Sequence, residues 1–193
     1  MRHFTEDRRK YKELILLISK LAAPDPNFGS THLNKLLFFS DFIAYLKFGH
    51  PISGETYIRE NHGPVPKGVR AGFKSPVNEL IREKRLRRDA EKVDGGPKRM
   101  TRYRPVALDE PDLSLFSSDE LELVNQVVSS FFGWRAGKLS KYTHEFPLWT
   151  SVAINETIPY ETAFISPDQR LNEEQTKRVQ EWARKRGWLT GKS

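Results

Sequence analysis

Cysteine is absent from all 193 residues. That excludes disulfides, thiolate metal sites and cysteine nucleophiles, and it fits a reducing compartment. Long apolar runs are missing too. The richest stretch, 33–48, is broken by Asn34, Lys35, Ser40, Asp41 and Lys47, so nothing approaches the roughly 18 residues that a membrane span needs. No apolar stretch with a small-residue cleavage site follows Met1, and no secretion signal is expected. The chain has no glycine-rich phosphate loop, no His-Glu-x-x-His and no nucleophile elbow. Its five histidines, His3, His32, His50, His62 and His144, never fall four apart on a helix, the spacing that puts two ligands on one metal. His144 and Glu145 are neighbours, which on a helix point apart. No repeat and no low-complexity segment is found. The expectation is a protein without enzymatic activity, cofactor or metal, in the cytoplasm and not on a membrane.

What is present is a strongly charged but foldable chain. Hydrophobic residues make up 37% and charged residues 30%, enough apolar material for a core at this length without staples. Twelve Phe and four Trp supply bulk. The length suits a single domain spanning 1–193. The formal charge is +7, and it is concentrated. Between Arg82 and Arg104 ten basic residues face four acidic ones, which leaves the rest near neutral. Such a patch can meet nucleic acid or an acidic protein; the plainer reading is a solvated helix end and hairpin.

Helical spacing of Tyr11, Leu14, Ile15, Ile18 and Leu21 predicts a first helix over 6–22, stopped by Pro24 and Pro26. Ser30 or Thr31 can cap a second helix, running to Phe48, whose apolar residues surround nearly its whole circumference. Such a helix belongs at the centre of a core. Gly49 and Pro51 end it. Residues 52–61 read as extended. Gly63-Pro64-Val65-Pro66 reads as a rigid, exposed or edge-lying turn, because its prolines fix φ and remove two donors. A helix over 77–87, capped by Ser75, precedes a hairpin centred on Asp94-Gly95-Gly96. Residues 105–117 read as a linker. Ser118 is the expected cap of a helix over 119–132. A short helix over 138–144 and a C-terminal helix over 172–187 complete a mainly α fold with small β elements, one helical α+β domain with one or two short hairpins.

Asp41 is the most informative polar residue, since it sits among Phe38, Phe42 and Tyr45 on a helix that should be buried. A buried carboxylate needs partners, and Lys35, Arg59, His62 and the N–H groups of the Gly63 turn are the candidates. Three roles are open: an anchor for the following extended segment, a polar contact in a binding groove, or, least favoured, a catalytic carboxylate.

The string Leu33-Asn34-Lys35-Leu36-Leu37-Phe38-Phe39-Ser40-Asp41, followed by Tyr45, Gly49-His50-Pro51-Ile52-Ser53-Gly54, Tyr57 and Gly63-Pro64-Val65-Pro66, resembles the Panacea domain, the SocA-like antitoxin family first catalogued as a phage-associated domain of unknown function. Leu139-Ser140, Thr143-His144 and Trp149 resemble its later motif, and Ile158-Pro159-Tyr160 the segment after it, so the likeness spans about 33–160. It implies a mostly helical fold and an antitoxin that neutralises a cognate toxin by direct binding. Asn34, Lys35, Asp41, Tyr45, Gly54, Tyr57, Gly63, Pro64, Val65, His144 and Trp149 are its motif residues, either structural or partner-contacting, with the structural role preferred. Some members carry an added DNA-binding segment; the first helix begins so early that none is expected here. The alternative function is a nucleic-acid-binding regulator, with operator DNA as partner, using Arg85, Arg87, Arg88, Lys98, Arg99, Arg102 and Arg104 in the segment 82–104. That patch lies outside the motif.

Overall fold

The computed structural model describes residues 4–94, 99–145 and 152–164, with nothing said of the side chains of residues 70, 71, 73, 94 and 99. The expected C-terminal helix over 172–187 lies outside them. Helix α1 (Arg8–Leu21) begins where the Asp7 carboxylate accepts from the Lys10 N–H at 2.9 Å, satisfying one of the free donors of the first turn. It buries Tyr11, Leu14, Ile15, Leu16, Leu17 and Ile18. Helix α2 (Ser30–Phe48) is buried on nearly every side, and α1 packs against it. Its cap is a correction. Gly29 holds the cap position in extended geometry with no side-chain bond, and the Ser30 hydroxyl instead donates to the Tyr103 carbonyl at 3.0 Å. The exit is as expected: Gly49 takes φ +78°, and its N–H returns to the Tyr45 carbonyl.

Strand β1 (Tyr57–Glu60) is central in an antiparallel sheet, between β2 (Gly63–Pro66) and β5 (Thr157–Ile158). Gly63-Pro64-Val65-Pro66 is therefore an edge strand and not a turn. An edge tolerates prolines because a side of the strand has no ladder to feed. It is not exposed either: Gly63, Pro64 and Pro66 are buried. A 3-10 segment (Lys67–Lys74) leads to α3 (Pro76–Arg82), capped by the Ser75 hydroxyl. This helix stops five residues short of the expected end. Lys84 adopts φ +59°, a left-handed geometry that ends helices, and the chain leaves as a strand.

That strand, β3 (Leu86–Asp94), pairs antiparallel with β4 (Arg99–Ala107). Residues 105–107, expected in a linker, continue β4. Helix α4 (Ser118–Ser130) starts from a capping box: Ser117 accepts from the Glu120 N–H, and the Glu120 carboxylate accepts from the Ser117 N–H. The cap is thus Ser117, one residue before the expected Ser118. Helix α5 (Ala136–His144) follows.

The elements form a mainly helical α+β structure around α2, which meets α1, α4, α5, β2, β4 and the 3-10 turn at Tyr160–Phe164. Two aromatic clusters flank it. Phe38, Phe42, Tyr57 and Tyr160 meet on one side, and Phe39, Phe131, Trp134 and Tyr142 on another. Tilted and edge-on pairs of this kind add to simple area burial.

Candidate functional site

Asp41 has no exposed surface. Its Oδ1 accepts from the Ser53 N–H at 2.7 Å; its Oδ2 accepts from the Ser53 hydroxyl at 2.5 Å and the Tyr57 hydroxyl at 2.7 Å. Burial pushes the Asp41 carboxyl up from its ordinary range, and these bonds pull it back. None of the partners expected from the sequence donates to it; Ser53 and Tyr57, which do, come from the segment after Pro51. Of these roles, the anchor is the one the geometry displays: the bonds of Asp41 to Ser53 and Tyr57 fix the path of the chain from α2 into β1.

The network continues outward. Glu55 is buried, and its Oε1 accepts from the Thr56 N–H at 2.8 Å. Burial, then the charge of Glu6, raises its carboxyl to about 7. The Tyr160 hydroxyl donates to the Glu55 carbonyl at 2.6 Å. Tyr45 packs edge-on against Phe4 and tilted against Tyr160. Gly54 has φ +71°, and a Cβ there would meet the Thr5 carbonyl oxygen at 2.8 Å, so both conformation and space require glycine.

A second group of motif residues gathers where α2, β2 and α5 meet. Lys35 is 1% exposed and donates to the Pro64 carbonyl at 2.8 Å. Burial lowers its ammonium to about 7, opposed by the charge of Glu60. A Cβ on Gly63, where φ is +103°, would lie 2.5 Å from Thr143 Oγ1 and 2.7 Å from Lys35 Nζ. His144, half-buried, is held below its ordinary range by burial and by Lys35, Arg59 and His62 nearby. Asn34 and Val65 are half-buried. Trp149 lies outside the described residues.

The expected basic patch is largely compensated within the chain. Arg85 grips buried Glu13 through two bonds, at 2.7 and 3.0 Å, and also reaches Asp109 at 2.8 Å. Arg87 pairs with Asp89, and Arg102 with Glu91. Arg104 donates to the carbonyls of Ala23 and Asp25. Arg88 lies over the Tyr103 ring, 5.5 Å from its centroid. Lys98 lies outside the described residues, and of Arg99 only the backbone is described. Sequence order could not reveal the pairing of Arg85, since Glu13 is 72 residues away; the partners of Arg87 and Arg102 lie within the hairpin itself.

Ser53, Glu55, Tyr160 and Glu13 carry much of this structure, and the sequence pattern does not mark them as site residues. The signal for Ser53 was faint: a hydroxyl just past a helix stop, within chain reach of a carboxylate that needed donors. Among the described residues no group of His, Asp and Glu could hold a metal ion, and no helix is long and apolar enough to cross a membrane.

These features define a mainly helical α+β scaffold whose central helix is tied to the following strands by buried polar anchors. The chain belongs to the antitoxin SocA-like, Panacea domain family, whose model matches residues 33–150. No curated protein and no solved structure matches it. The family match begins on α2 and runs past α5, so the Asp41 and Lys35 groups lie largely within it.

Proposed function

We propose that this chain is an antitoxin that neutralises a cognate toxin by direct protein–protein contact, acting in the cytoplasm and without enzymatic activity of its own. The observation that carries this reading is its membership of the antitoxin SocA-like family over residues 33–150. The burial of Lys35, Asp41 and Tyr57 favours a scaffold role for these motif residues, with the toxin met on the surface. A nucleic-acid regulator using 82–104 has less support, because Arg85, Arg87 and Arg102 already hold carboxylates and charge engaged in this way contributes less to phosphate binding.

The test is co-expression with the reading frame adjacent to this gene. Expressed alone, that neighbour is expected to arrest growth, and this chain is expected to restore growth and to co-purify with it. A neighbour that is harmless alone removes the antitoxin reading. Retention of duplex DNA at low salt, lost steeply as salt is added, would reinstate the regulator.

A further inference from the structure

Beyond its base, where α3 packs on β3 and Leu86 is buried, the β3–β4 hairpin has one edge that nothing in the described structure covers. Strand β4 is the inner strand, packed on α1 and α2, and β3 lies outside it. The hydrogen-bond alternation of the pair can be read from two contacts. The Leu108 N–H donates to the Arg85 carbonyl at the base of the hairpin, and the Tyr103 carbonyl accepts from Ser30 outside the ladder. In an antiparallel pair, bonded and non-bonded positions alternate. With the register Leu86↔Ala107, Arg88↔Pro105, Ala90↔Tyr103 and Lys92↔Thr101, the outward-facing backbone groups of β3 belong to Arg88, Ala90 and Lys92. Pro105 sits at a non-bonded position, where a missing N–H costs nothing. Among the described residues no backbone partner meets that edge.

The two faces of this ribbon differ in how far their cations are neutralised. Arg88, Ala90, Lys92 and Tyr103 share one face, and all four are exposed. The acids Asp89 and Glu91 point to the other face, where Arg87 and Arg102 hold them. From Arg88 to Lys92 the outer face next to the open edge is therefore cationic, with an aromatic ring under Arg88. From Arg88 to Lys92, β3 offers an open edge about 17 Å long.

Resting on the antitoxin reading above, we propose that the toxin adds an extended, acidic segment as a third strand along the outer edge of β3. Main-chain bonds to Arg88, Ala90 and Lys92 supply the affinity, and the charges of Arg88 and Lys92 select acidic side chains beside them. A second copy of this chain does not fit, because pairing two such edges would set cation against cation. The nucleic-acid alternative would use the cations and leave the open backbone groups unused.

The experiment uses the full chain with the product of the adjacent reading frame. In the free chain the amides of Arg88, Ala90 and Lys92 exchange with solvent quickly, while those of Arg87, Asp89 and Glu91, bonded to β4, exchange slowly. On complex formation the first set is expected to slow by about tenfold or more. Ala90→Pro removes an outward N–H without touching the β3–β4 ladder, and is expected to weaken binding about tenfold with a thermal midpoint close to that of the parent. Arg88→Glu with Lys92→Glu is expected to do the same. Unchanged exchange at these amides, or growth rescue and binding by both variants equal to the parent, overturns the edge proposal and leaves the antitoxin reading standing. Failure of the unmodified chain to bind or rescue overturns both. Loss of duplex DNA retention by the double variant with partner binding intact assigns the face to nucleic acid and overturns the proposal.

Discussion

Asp41 receives three hydrogen bonds inside the core, so its removal orphans a backbone N–H and two hydroxyls at once. Asp41→Ala is expected to cost about 3–5 kcal/mol, read as a large fall in the midpoint of denaturant unfolding. Asp41→Asn keeps an acceptor and is expected to lose less. A midpoint for Asp41→Ala equal to the parent would show that the anchor contributes nothing. Gly63 is constrained on two counts, a φ of +103° and side-chain atoms of Thr143 and Lys35 under 3 Å from any added Cβ. Gly63→Ala is therefore expected to destabilise by roughly 2–4 kcal/mol, while Gly49→Ala, where φ is +78° but the space is open, is expected to cost only about 1 kcal/mol. Equal effects at the two glycines would refute the steric account.

At the scale of elements, the capping box of α4 and the pair of buried Glu13 with half-buried Arg85, which joins α1 to the base of the hairpin, are the separable contributions. Ser117→Ala removes the acceptor for the Glu120 N–H and is expected to cost about 1 kcal/mol. Ser118→Ala is expected to be nearly neutral, because Ser118 is already the first helical residue. The two midpoints, compared directly, check where the helix begins. Arg85→Ala leaves the Glu13 carboxylate buried without its guanidinium, and a cost of about 3 kcal/mol is expected. The double replacement Glu13→Gln with Arg85→Met should recover much of it. A double variant less stable than Arg85→Ala alone would overturn that reading.

For the whole molecule, two buried groups titrate near neutrality in opposite senses. Burial raises Glu55 from 4.5 to about 7. Between those values the folded chain keeps a proton that the unfolded chain has released, so stability falls as pH rises through that window. Burial lowers Lys35 from 10.5 to about 7. There the unfolded chain holds the extra proton, so stability rises with pH from about 7 to 10.5. Each group contributes on the order of 3 kcal/mol at full effect, and together they place a minimum near pH 7 in their joint contribution. The gain in stability of Glu55→Gln over the parent is therefore expected to grow between pH 5 and 8. That of Lys35→Met is expected to be largest below pH 7 and to shrink toward pH 10. Difference curves that stay flat would show that neither side chain is desolvated as the fold implies.

Much of the architecture was written in local pattern. The apolar circumference of 33–48 identified the central helix, Gly49 and Pro51 its end, Ser75-Pro76 the start of α3, and Asp94-Gly95-Gly96 the hairpin, because capping, φ restriction and side-chain period act over a few residues. The motif string from Leu33 to Pro66 likewise marked the family. Tertiary structure decided what local pattern does not contain. It chose Ser53 and Tyr57 over Lys35, Arg59 and His62 as partners of Asp41. It made the Gly63–Pro66 segment, expected as an exposed or edge-lying turn, a buried strand at the sheet edge, and ended α3 early so that residues 86–94 could pair with β4. It also engaged Arg85, Arg87, Arg102 and Arg104 with carboxylates and carbonyls, Arg85 and Arg104 with groups more than 70 residues away, while Arg88 and Lys92 stay on the open face. Charge counted along a chain says how much is present; which charges remain for a partner depends on the distances and burial that only the folded arrangement sets.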